Sequence, residues 1–203
     1  MRGRSVLASL LASLGIAVII VVGLAACSED AEETPSGPVG GQEATQQDQE
    51  ATAPAYPMTV TDMLGRSVEI PESPTRIVSI SPTATEMLYR VGGAAVARDT
   101  ASRHPPEAQG LPTVGGAYTP SVEAIVAQEP DLILIEGLTQ RQFLDPLAQA
   151  GAPVVAVQAT SLADVTRGLE LLGEITGKQE AARESIQDID SRIEAASSKV
   201  SVS

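Results

Sequence analysis

The chain has 203 residues, with 26 acidic against 13 basic side chains and a formal net charge of −13. That balance argues against a nucleic-acid binder, since phosphate contacts need clustered Lys and Arg; with no Trp, one Phe and three Tyr, base-stacking platforms are excluded too. One Cys and one His leave neither an internal disulfide framework nor a Cys/His metal cage.

The N-terminus carries Arg2 and Arg4, then no charge from Val6 to Ala26, and closes on Leu24-Ala25-Ala26-Cys27. A basic start, an apolar middle and small residues at the exit are the parts of a secretory signal. The ending resembles a bacterial lipobox, which implies cleavage before Cys27 and lipidation of its thiol. The apolar run is also long enough for a plain transmembrane anchor. Either way the remainder is expected outside the cytoplasm. Residues 28–55 follow with seven acids, no base and no apolar periodicity. They read as a disordered acidic tether.

Two alternating runs, Met58–Asp62 and Arg66–Ile70, flank Met63-Leu64-Gly65 and predict a hairpin. Arg76–Ile80 is an apolar strand, Thr83–Val91 a helix ended by Gly92-Gly93, and Ala94–Ala97 a short strand. His104–Glu107 turns into a short helix. Pro120 starts the next helix, with Val122, Ile125 and Val126 on a core-facing stripe, and Leu132–Ile135 is a buried strand. A helix over Gln140–Ala150, closed by Gly151, leads to a strand at Pro153–Val157. Beyond Ser161 the pattern is helical: Leu162, Val165, Leu169, Leu172 and Ile175 form one stripe up to Gly177. Ile186, Ile189, Ile193, Ala196 and Val200 form a second.

This alternation predicts an α/β fold, a mostly parallel sheet flanked by helices and followed by a long helix. Ligands in such sheets gather beyond the carboxyl ends of the strands. Those ends are Ser79–Thr85, Arg98–His104, Gly115–Thr119, Glu136–Thr139 and Gln158–Ser161. The candidate ligand-binding residues are therefore Ser81, Thr83, Arg103, His104, Tyr118, Thr119 and Arg141. Tyr118 offers a ring face and a hydroxyl, and Arg103 and Arg141 suit an anionic ligand. Thr83 also reads as a helix cap with Glu86 completing a capping box. His104 fits a pocket wall or an ordinary turn.

No nucleophile–base pair is visible, and neither GxGxxG after a strand nor GxxxxGK[ST] occurs. An enzyme, a nucleotide site and any cofactor are therefore not expected. Glycines in the Gly-Gly pairs are explained by helix and strand ends.

In order, Asp62-Met-Leu-Gly-Arg66, Arg76-Ile-Val-Ser-Ile-Ser-Pro-Thr-Ala-Thr-Glu-Met-Leu88, Pro105-Pro-Glu107, Val114-Gly-Gly116 and Pro120–Ile135 resemble the cobalamin/ferric-siderophore/haem class of periplasmic solute-binding proteins of ABC importers. The resemblance implies two α/β lobes joined by a rigid helix, with ligand between them. Residues 56–177 then match the N-terminal lobe and 178–203 the start of the connecting helix, and the second lobe is missing from the sequence. It implies a chelate or corrinoid ligand and a partner permease with its ATPase. It also implies that Glu123 docks onto permease arginines, where the local alternative is a helix-end charge. A truncated or non-transport interaction lipoprotein with the same lobe is the rival reading. A zinc or manganese binder, needing several His ligands, fits poorly.

Overall fold

The computed structural model describes residues 54–200. The signal segment and lipobox expected up to Cys27, and residues 28–53 of the expected tether, lie outside the described residues.

The chain opens with the expected hairpin, β1 (Met58–Thr61) antiparallel to β2 (Ser67–Ile70). The main sheet has four parallel strands: β3 (Ile77–Ser79), β4 (Ala95–Arg98), β7 (Leu132–Glu136) and β8 (Val154–Val157). Their order is β4-β3-β7-β8. The first strand laid down thus lies inside the sheet, and the chain reverses its direction of growth between β3 and β7. A two-residue ribbon, β5 (Gly115–Gly116) against β6 (Thr119–Pro120), stands apart.

Strands buried on both faces read as continuous apolar runs, and Leu132–Ile135 and Val154–Val157 are buried throughout. Successive side chains point to opposite faces, so the runs feed two cores. Ile77, Leu132, Leu134, Val155 and Val157 pack with α1 (Pro82–Arg90), α4 (Leu162–Thr176) and Ala182 of α5 (Gln179–Val200). Val78, Ile133, Ile135, Val154 and Ala156 pack with Ile125 of α2 (Val122–Val126) and Leu147 of α3 (Leu144–Ala148). The α/β sheet with helices on both faces and a long last helix is as the sequence predicts.

Three local expectations are corrected. Ser81, not Thr83, caps α1: its Oγ accepts from Ala84 N at 3.0 Å, and Pro82 takes the first helical position. The fixed φ of proline suits that position, so the Ser-Pro pair decides where the helix begins. The helix expected to start at Pro120 starts two residues later, at Val122, capped by Ser121, while Pro120 itself lies in β6. With only five residues α2 turns one side inward; Ile125 is fully buried, but Val126 is 43% exposed rather than core-facing. The single helix expected over Gln140–Ala150 is instead a 3₁₀ turn at Arg141–Phe143 followed by α3. Pro146 explains the break, because its ring would clash with the Gln142 carbonyl inside a continuous helix. In α3 it falls in the first turn, where no N–H is missed.

Where α4 meets α5, Gly173 permits a close approach: a Cβ there would lie 2.7 Å from that of Ala182. Gly177, at φ 69°, ends α4 in the left-handed conformation that glycine adopts without cost. Early α5 is half-buried through Ile186 and Ile189, whereas Ile193 is 42% exposed and residues 190–199 are exposed throughout.

Candidate functional site

The reversal between β3 and β7 leaves a crevice where the loops after the two strands diverge, the place where open parallel sheets bind ligands. A cleft of about 330 Å³ lies there. Ser81 to Thr83 line it from the β3 side, Glu136 and Leu138 to Gln140 from the β7 side. Ala117 and Tyr118, at the tip of the β5–β6 ribbon, and Ala159 and Thr160, after β8, complete it.

Each wall has a local cause. Gly115 has φ 102°, and a Cβ there would lie 2.6 Å from the Thr119 carbonyl oxygen. Only glycine lets the ribbon turn this tightly, which is what presents Tyr118 at 69% exposure. Glu136 leaves the end of β7 and accepts from Leu138 N (3.2 Å), Thr139 N (2.8 Å) and Thr139 Oγ1 (2.7 Å), folding the loop around its own carboxylate. Thr160 donates its hydroxyl to Asp164, whose carboxyl is held below its usual pKa chiefly by that bond.

Gln140 ties the walls together. It is 1% exposed. Its amide nitrogen donates to Ile80 O and to Ala117 O, each at 2.6 Å, and its amide oxygen accepts from Glu136 N at 2.8 Å. Three loops are therefore fixed by one side chain. Behind them, Thr85 bonds Ser79 Oγ (2.8 Å) and Ser102 Oγ (3.0 Å), and Ser102 donates to Asp99. All four are buried and partnered, so the loop after β4 is anchored to the base of α1 without cost from orphaned polar groups.

A larger groove of about 860 Å³ runs along α1 between the 104–107 loop and α4 and α5. Thr83 and Ala159 line both spaces. Among the described residues no three His, Cys, Asp or Glu come together as a metal centre would need.

The expected site residues divide among these surfaces. Ser81, Thr83 and Tyr118 line the cleft, and His104 lines the larger groove with Thr83. Arg103, Thr119 and Arg141 are exposed and line neither. Glu123 is exposed in the first turn of α2. Glu136, Leu138, Gln140 and Thr160 were not among the sequence candidates. For Glu136 and Leu138 the position at a strand's carboxyl end was the available signal; for Gln140 the sequence held none.

With this geometry in view, the known relatives are informative. Residues 77–203 match the profile of the family described as periplasmic binding protein. The chain belongs to that family. It is 36% identical over 124 residues to a vitamin B12-binding protein of Pectobacterium atrosepticum, covering 59% of this chain and 44% of the relative. It is 29% identical over 159 residues to the uncharacterized ABC transporter substrate-binding lipoprotein YvrC of Bacillus subtilis, covering 74% and 50%. The fold superposes on a periplasmic heme-binding protein from Pseudomonas aeruginosa with a TM-score of 0.60 and 26% identity, over 64% of this chain and 48% of that one. The chain thus spans about half the length of the relatives it matches.

Proposed function

We propose that this chain is the substrate-binding component of an ABC importer, capturing an iron chelate (siderophore or haem) or cobalamin and delivering it to the permease. The observation that supports this most is the cleft at the sheet's reversal point, in a chain of the periplasmic binding protein family. In this reading residues 56–177 are the N-terminal ligand-binding lobe and 178–203 begin the helix toward a second lobe. Among the candidates, Ser81, Thr83 and Tyr118 face ligand directly and His104 faces it from the adjoining groove. Arg103, Thr119 and Arg141, which line neither space, are assigned no contact with it. The relatives compared above are named for binding or transport, and we assign no catalytic step. Calorimetric titration of the full chain with cyanocobalamin, haemin and a ferric siderophore tests the reading. Saturable binding of at least one is expected, and binding of none would sink it.

Residues 1–27 are proposed as a lipoprotein signal, with Cys27 lipidated and 28–55 a tether outside the membrane. Cys27→Ser is expected to shift the mature protein from the membrane fraction to the soluble one, or to leave it unprocessed. Unchanged mass and fractionation would contradict lipidation.

Glu123 is proposed as the permease contact. Its exposure costs nothing in the free protein and leaves the carboxylate available to a guanidinium. Glu123→Arg should weaken permease pull-down at least about tenfold by placing like charges together, while changing stability by less than about 0.5 kcal/mol. Normal docking by the Arg variant would reduce Glu123 to a helix-end charge.

A further inference from the structure

We infer that the cleft selects ligands carrying no net negative charge, with Glu136 as the residue that turns anions away. The inference rests on reading the cleft as the ligand site. Among the described residues lining it there is no Arg, Lys or His; the one charged side chain is Glu136. The one guanidinium on the four strands of the main sheet, Arg98 at the end of β4, is outside the lining and occupied: it donates to the carbonyls of Ala108 (2.7 Å), Asp99 (2.8 Å) and Gln109 (2.9 Å). Arg103 and Arg141, which would have paired with a carboxylate or catecholate, lie outside the lining.

The negative charge is fixed in place as well as present. Three bonds from the Leu138 and Thr139 amides and the Thr139 hydroxyl hold the Glu136 carboxylate at the cleft wall, so it cannot swing out of the way of an incoming anion. What the cleft otherwise offers is the exposed ring of Tyr118, the 61%-exposed side chain of Leu138 and the hydroxyl of Thr83. A ring face and a branched apolar group suit a flat or apolar ligand surface, and a hydroxyl suits amide or hydroxyl groups at its edge. The ligand class is a neutral or cationic chelate with a polar, uncharged periphery.

The test titrates the full chain with three probes: cyanocobalamin, which has no net charge; haemin, which carries two propionates; and a trianionic ferric tris-catecholate. Cyanocobalamin is expected to bind about tenfold or more tighter than either anion at low salt, with the gap narrowing as salt screens the repulsion. Glu136→Gln should close that ratio by about fivefold. Haemin or the tris-catecholate binding as tightly as cyanocobalamin would overturn the inference and leave the proposed function standing. A gap unmoved by Glu136→Gln would overturn it also. Failure of all three probes to bind would overturn both.

Discussion

Replacing Asp62 by alanine is expected to lower the free energy of unfolding by about 3 kcal/mol, the low end for breaking a buried ion pair from one side. Asp62 is fully buried. Its Oδ1 accepts from Leu64 N and Arg66 N at 3.0 and 2.9 Å, and its Oδ2 from the Arg66 guanidinium and from Ala156 N at 3.2 Å. Arg66 in turn donates to Val154 O at 2.9 Å, and Met63 N bonds Ala156 O at 3.1 Å. The turn between β1 and β2 is thereby fastened along β8, whose outer side would otherwise be an open edge. Alanine leaves these donors without an acceptor and the guanidinium without its counter-ion. Arg66 is 34% exposed, so water recovers part of the loss. Asp62→Asn keeps one acceptor oxygen and should cost about half as much. Urea denaturation followed by circular dichroism measures both; a loss below about 1 kcal/mol in the alanine variant would show that the hairpin is held by its apolar contacts alone.

The second large effect is at Gln140. Gln140→Leu keeps a similar volume but leaves Ile80 O, Ala117 O and Glu136 N without their partner in a buried setting. At about 1 kcal/mol or more for each orphaned group, the expected loss is about 3 kcal/mol. The effect should be localised, since the three groups lie on three loops around the cleft. Hydrogen exchange is expected to quicken at Tyr118, Leu138 and Thr139 before it does so in β7 or β8, and ligand affinity to fall with it. Uniform destabilisation, with the cleft loops as protected as before relative to the strands, would mean that Gln140 only fills space.

The strands and their order in the chain were legible because burial on both faces writes an uninterrupted apolar run, and Leu132–Ile135 and Val154–Val157 are such runs. The ends of those strands located the cleft for the same reason. Finer features depended on rules that compete locally. At Ser81-Pro82-Thr83 a capping box and a proline at the first helical position point to different caps, and the proline prevails. The apolar spacing of Val122, Ile125 and Val126 fits a helix longer than the five residues that form. Arginines near strand ends look alike in a sequence; only packing shows that Arg98 is occupied by carbonyls while Arg103 and Arg141 stay on the surface. Gln140 was invisible because its acceptors, Ile80 O and Ala117 O, lie 60 and 23 positions away. An amide surrounded by ordinary residues carries no mark of what it will bond.

The fastening of the first hairpin to the last strand also sets an order of events in time. β3 and β4 meet across a short stretch of chain, Ile77 opposite Ala95, and each later strand is added outward toward β8. The hairpin is made earliest, yet Asp62 must await Ala156, 94 positions further on, and Tyr56 must await the Ile175 carbonyl, 119 positions further on. Closing such long loops is deferred until the intervening chain is compact. The β1–β2 hairpin is therefore the last part to settle and the first to detach. The Asp62→Ala penalty should accordingly appear almost entirely as faster unfolding, with the refolding rate nearly unchanged.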